Sequence, residues 1–261
     1  MSVLVASLVL GVFGGCRPAP RASYGLSDLG REPGRAGLTE DEFGLLVGEL
    51  DSGSGRPLVG LSAWTEHSRV RVHTRFTDGT PERILRSTLP GDRGGRRVNE
   101  ITVGPVGAGE PDLRTVIALT GEGLVSLETL GGGVLSVFEP GALFLPAGLE
   151  AGEMLERAFG VRSSGGPIGR GSDGRGTVRI EGIGRQVIGT PIGLFDAFVV
   201  DSELSMKVGV ARIVFARRMW IDDAFGLVAE RTRDRVSVFG MTVRRRDWVS
   251  IIESETAGGA R

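Results

Sequence analysis

A chain of 261 residues, 40% of them hydrophobic and 24% charged, has the composition of a globular protein with a sizeable core. A net charge of −1 excludes a global field for nucleic acid or anionic membranes, and a single cysteine excludes an intramolecular disulfide or a thiolate metal cluster. The 43 glycines follow no three-residue period, so collagen is excluded, and their spread between short apolar runs points to many tight turns.

The chain opens on an uncharged apolar run, Ser2 to Phe13, too short for a permanent membrane span but matching the h-region of a secretory signal. It ends at Phe13-Gly14-Gly15-Cys16, which resembles the bacterial lipoprotein signal, although Phe13 stands where leucine is usual and no Lys or Arg precedes the run. The resemblance implies a signal peptide over residues 1–15 and acylation of Cys16, which would anchor the protein at the periplasmic face of a bacterial membrane. Residues 16–38, rich in Pro, Gly, Arg and Ser, read as a flexible tether. Thr39 followed by Glu42 has the spacing of a helix-capping box.

A domain is expected over 39–255, with a frayed tail at 256–261. Apolar runs of strand length recur through it between turn signals: Leu45–Leu50, Leu58–Thr65, Arg69–Phe76 and onward to Met241–Ile252. Around Val70, Val72 and Phe76 the alternation with His and Arg has period two, the mark of a strand with one buried face. Gly152 to Phe159 is the one helical candidate, and Ser163 to Gly176 reads as a Gly/Ser/Arg loop able to act as a lid. The runs after Leu194 are long, as a strongly curved antiparallel meander requires. The fold expected is mainly β with little helix: a single large curved antiparallel sheet, a half-barrel or open barrel.

Three pieces carry a resemblance. They are Leu145-Pro146-Ala147-Gly148-Leu149 with Gly152, then Thr190 to Ala197, then Trp220-Ile221 followed by Gly226-Leu227-Val228. Together they resemble a family of exported bacterial β proteins of unknown function, similar in shape to the periplasmic lipoprotein-carrier (Lol) half-barrels. These motifs are turn chemistry, so the resemblance implies a fold rather than an activity.

Candidates for chemistry are few. His67 and His73, the two histidines, share a strand face with Arg69, Arg71 and Arg75, which reads first as a solvated face and second as an anion-binding stripe. Gly169 to Gly174 spells a dinucleotide-binding motif, but a strand rather than a helix follows it, so the phosphate-binding physics is missing. Asp222-Asp223 reads as a turn, and Arg244-Arg245-Arg246 as a charge run split between two strand faces. No nucleophile, base and orienting group can be assembled, so no enzyme, cofactor or metal site is expected.

Apolar strand faces remain. Phe198, Val200, Leu204, Ile213, Phe215 and Met219 share consistent parities and are the candidate ligand-lining residues. The leading expectation is an exported, lipid-anchored, non-catalytic protein that binds or carries a lipid or acyl chain. The rival is an envelope assembly protein with a solid core and a protein partner. Nucleic acid is expected in neither case. A continuous apolar cavity separates the two readings.

Overall fold

The computed structural model describes residues 38–40, 45–53, 56–59, 61–64, 68–76, 81–93, 95–105, 111–165 and 169–255. Cys16, the leader, most of the tether and the 256–261 tail lie outside them. Among the described residues fourteen strands follow one another: β1 (Thr39–Glu40), β2 (Leu46–Asp51), β3 (Ser68–Phe76), β4 (Pro81–Arg93), β5 (Arg96–Pro105), β6 (Leu113–Thr120) and β7 (Gly123–Gly131). After them come β8 (Val134–Pro146), β9 (Met154–Gly165), β10 (Gly169–Thr190), β11 (Gly193–Val208), β12 (Ala211–Asp222), β13 (Gly226–Val238) and β14 (Met241–Glu255). No α-helix occurs among the described residues, only a single 3-10 turn at Leu61–Trp64.

All the strands belong to one antiparallel sheet, in the order β1-β2-β10-β11-β12-β13-β14-β3-β4-β5-β6-β7-β8-β9. The sheet curls into a half-barrel, and β9 comes back to pair with the first part of β10, from Gly169 to Glu181. Beyond a register shift between Gly182 and Gly184, the second part of β10 takes β2 as its partner instead. Gly184 makes that change possible: its φ is +144°, and a Cβ there would lie 2.3 Å from the carbonyl oxygen of Asp51. Gly226, at φ 73°, opens β13 directly after the Asp222–Phe225 turn.

The main core fills the inside of the curl with Phe198, Val200, Ile213, Met219, Ile180, Leu145 and their neighbours. A second cluster, including Ile188, Phe195, Val199, Trp220 and Val249, lies on the opposite face of β11 and β12. Two clusters explain why Ala197, Phe198, Val199 and Val200 are all buried in succession: a strand covered on both faces loses its polar alternation. Leu58, Leu61 and Trp64, from the segment between β2 and β3, pack into the main core. The backbone N–H of Leu58 donates to the carbonyl of Leu149 at 2.8 Å, which fixes this segment against the end of β8.

Several local expectations are corrected here. Gly152 to Phe159 is no helix: Met154 onward is β9, where pairing with β10 outweighs the helix propensity of Met-Leu-Glu-Arg-Ala. Ser163 to Gly176 is no lid. Apart from 166–168, outside the described residues, it consists of the ends of two paired strands. In the run Leu58 to Thr65 the described residues form no strand: Leu58 and Val59 are irregular and Leu61–Trp64 make the 3-10 turn, while Gly60 and Thr65 lie outside the described residues. Thr39 and Glu40 are extended in β1 rather than capping a helix, and Glu42 lies outside the described residues. Thr177–Glu181 and Gln186–Ile188, which the sequence presents as two separate apolar runs, are parts of the single 22-residue strand β10.

Candidate ligand cavity

Along β12 the odd positions face inward: Ile213 and Met219 are buried in the main core and Phe215 is buried beside it. Arg217 has the same parity and therefore enters the same interior. The register carries this row across the sheet. Arg217 stands opposite Ser202 of β11 and Thr232 of β13, and Thr232 stands opposite Trp248 of β14. One row further along, Met219 pairs with Glu230, Glu230 with Ser250, and Ser250 with Thr74 of β3. Directly opposed residues share a face, so these strands carry a polar belt across the inner wall. Thr74 and Ser250 close part of it with a buried hydroxyl–hydroxyl hydrogen bond of 3.0 Å.

The belt borders a cavity of about 240 Å³. Most of the wall is apolar, with Ile101, Val103, Leu113, Ile117 and Leu143 on one side and Leu204, Phe215 and Leu227 on the other. Trp64 and Phe144 meet edge to face at 5.2 Å, and Phe215 and Trp248 do so at 6.1 Å. Into this wall are set Arg86 from β4, Arg217 from β12 and Glu230 from β13.

The two guanidinium groups have unlike surroundings. Arg86 donates to the carbonyl of Leu227 at 3.0 Å and lies 5.8 Å from the centre of the Trp64 ring. Arg217 lies between aromatic faces, 4.1 Å from the Phe215 ring centre and 5.4 Å from that of Phe144. Among the described residues its Nε–H has no hydrogen-bond partner, and neither has the indole N–H of Trp64. Burial lowers the pKa of both arginines from the usual value, and attraction to Glu230 opposes that shift. An arginine does not lose its proton in a protein, so both charges persist. Among the described lining residues two cations face one carboxylate.

A second polar cluster lies at the turn after β12. Arg185, with its side chain only 7% exposed, donates to Asp223 at 2.8 Å, to the carbonyl of Asp196 at 2.9 Å and to its carboxylate at 3.3 Å. Arg56 reaches the same Asp223 oxygen at 2.7 Å. Asp222 caps the turn through its Oδ1, which accepts from the N–H groups of Ala224 and Phe225. The expected turn is therefore present at Asp222, whereas Asp223 additionally ties β10, β11 and the segment containing Arg56 together. Trp220 donates to Gln186 at 2.8 Å, and Gln186 to the carbonyl of Gly48 at 2.9 Å, which joins β12, β10 and β2.

Of the six residues read from parity, Leu204 and Phe215 stand on the cavity wall. Phe198, Val200, Ile213 and Met219 lie in the packed core beside it. His67 lies outside the described residues, as do the side chains of Arg69, Arg71, His73 and Arg75. Gly169 to Gly174 runs within β10, with no helix after it. Arg244 turns inward to Asp234 at 2.6 Å, while Arg245 is exposed. No group of three or more His, Cys, Asp or Glu converges as a metal site among the described residues. Sequence reasoning missed Arg86, Arg217, Glu230 and Trp64, although the parity that selected Phe215 and Met219 also selects Arg217 between them.

Fold and site together define a curled β shell around a mostly apolar cavity with a charged belt. No family model matches the sequence, and no curated protein does. Three solved structures are similar in shape. A Bacteroides fragilis protein described as exported, with a YmcC-like fold, has 11% identity and a TM-score of 0.35, over 78% of this chain and 100% of that one. The hypothetical lipoprotein YmcC of Escherichia coli has 9% identity and a TM-score of 0.38, over 70% and 87%. A Parabacteroides distasonis protein described as a lipoprotein has 12% identity and a TM-score of 0.33, over 74% and 96%. At these scores nothing about the role of this chain follows from the likeness.

Proposed function

We propose that this is an exported, lipid-anchored, non-catalytic protein of the bacterial envelope that binds or carries a hydrophobic ligand. The observation that supports the reading is the 240 Å³ cavity, lined by aliphatic and aromatic side chains inside the curled sheet. A scaffold with a solid core has no need of such a space. Export and anchoring are supported by the apolar leader ending in Cys16.

The test is a chain-length series of linear alcohols titrated into the full-length protein against an environment-sensitive dye. Each added methylene contributes about 0.8 kcal/mol, close to fourfold in affinity, until the cavity is full. Saturable binding that strengthens with length and then levels off is the expected result. Binding that is absent, or indifferent to length, would favour the scaffold.

A further inference from the structure

We propose that the ligand of this cavity ends in an anion, a carboxylate or a phosphate monoester, held by Arg217 together with the indole N–H of Trp64. The inference rests on the hydrophobic-ligand reading above and specifies the chemistry of the ligand's polar end.

The cavity is short of acceptors. Arg217 and Trp64 both line it, both carry only donors, and both have a buried N–H with no partner among the described residues. Such orphaned donors are uncommon in a folded protein, where buried polar groups are paired as a rule. The charges are unbalanced in the same sense, with Arg86 and Arg217 against Glu230 among the described lining side chains. Arg86 has a carbonyl partner at Leu227, whereas Arg217 has no hydrogen-bond partner among the described residues, only two aromatic faces and the attraction of Glu230 that it shares with Arg86. A ligand bearing only acceptors and a negative charge meets both deficits at once. A hydroxyl meets the first in part and the second not at all, and a cation worsens the second.

The placement also suits an amphiphile. Arg217 lies against Phe215 and Phe144, while Ile101, Val103, Leu113 and Ile117 line the same cavity from β5 and β6. An anionic end at β12 therefore leaves an aliphatic wall for the attached chain. Glu230, attracted to both arginines, keeps the empty site from holding two uncompensated cations.

The experiment compares decanoate, decyl phosphate, decanol and decyltrimethylammonium, all of one chain length, on the full-length protein. The expected result is that one of the two anions binds at least about tenfold more tightly than decanol and that the cationic amphiphile binds least. Decanoate against decyl phosphate decides which anion the site prefers. Arg217→Met keeps the side-chain length and should erase the preference for the anion over decanol, the anion losing at least about tenfold in affinity and the alcohol much less. Trp64→Phe keeps an aromatic ring and should weaken the anion more than the alcohol. Circular dichroism checks that each variant is folded, and the wild-type comparison stands without them. Equal binding of anions and decanol by the wild type would overturn this inference and leave the hydrophobic reading intact. An anion preference that survives both variants would overturn the assignment to these residues. Failure of every amphiphile to bind would overturn both readings together.

Discussion

The guanidinium of Arg217 rests 4.1 Å from the ring centre of Phe215, two residues earlier on the same strand and on the same face. A contact of this kind between cation and ring contributes about 2 kcal/mol when desolvated, and the Phe144 ring, at 5.4 Å, adds a weaker one. Removing an ion from water costs several kcal/mol, and Glu230 has a second arginine to balance as well. Arg217 is thus a net burden on the empty protein, and a binding site is where such a burden is useful.

Opposite signs are therefore expected for two neutralising substitutions on the same belt. Arg217→Met leaves one cation and one carboxylate, and should stabilise the ligand-free protein by about 1 kcal/mol. Glu230→Gln leaves two cations facing each other, and should destabilise it by about 3 kcal/mol. Thermal melts of the two variants beside the wild type give the answer. A midpoint that falls for Arg217→Met would mean that the arginine is structurally satisfied and is no spare charge.

Much of this belt was open to inspection in the sequence. Ile213, Phe215 and Met219 were selected by parity, and the same step of two lands on Arg217 between them. Reading apolar residues alone passes over it. Glu230 and Arg86 could not be found this way, because their nearness to Arg217 depends on the pairing of β12 with β13 and on the curl that brings in β4. Trp64 falls within a run of strand length, Leu58–Thr65, and its place in the cavity wall depends on a segment with no periodicity. The curved antiparallel sheet was legible because period-two alternation and turn glycines are local signals.

Glycine misled at one stretch, and that stretch provides the next prediction. Ser163 to Gly176 reads as a loop, yet Gly176 sits in β10 beside the buried ring of Phe159. A Cβ on Gly176 would lie 2.4 Å from Cζ of Phe159 and 2.9 Å from the carbonyl oxygen of Ser205. The missing side chain makes room for a ring rather than freedom for a loop. Gly176→Ala should cost about 1–3 kcal/mol through overpacking, measurable by denaturant titration. An unchanged midpoint would restore the loop reading.

The ion cluster around Arg185 should behave as a lock. Arg185 is nearly buried, and Asp223 accepts from both it and Arg56. Asp223→Ala leaves the Arg185 charge with only the more exposed carboxylate of Asp196 and a carbonyl, and a loss of about 3 kcal/mol is expected. Arg56 is 61% exposed on its side chain, so Arg56→Ala should cost less than about 1 kcal/mol. Equal effects from the two changes, read in parallel denaturant titrations, would show that Arg185 is not the centre of the cluster.

Acylation at Cys16 is a prediction from the leader alone. Expressed in a bacterial host, the full chain should incorporate labelled fatty acid and sediment with membranes, and Cys16→Ser should lose the label. Labelling that persists in the variant would place the lipid elsewhere, and an unlabelled, freely soluble wild type would point to a plain cleaved signal peptide.

The last prediction concerns the hairpin between β13 and β14. Val238 pairs with Met241, which leaves Phe239 and Gly240 as a two-residue turn with φ values of 50° and 81°. Positive φ at both positions defines the turn type that suits the twist of a hairpin, and Asn-Gly or Asp-Gly is its usual sequence. Phenylalanine gains nothing from packing in that place, since it is 70% exposed. Its backbone N–H still donates to the carbonyl of Val210 at 3.2 Å, a bond that any residue other than proline preserves. Phe239→Asn should therefore relieve the left-handed conformation and raise stability by about 1 kcal/mol. For a domain of this size that is a rise of about 2–4 °C in the melting midpoint. A midpoint that falls instead would mean that the ring stabilises the hairpin through a contact its exposure conceals.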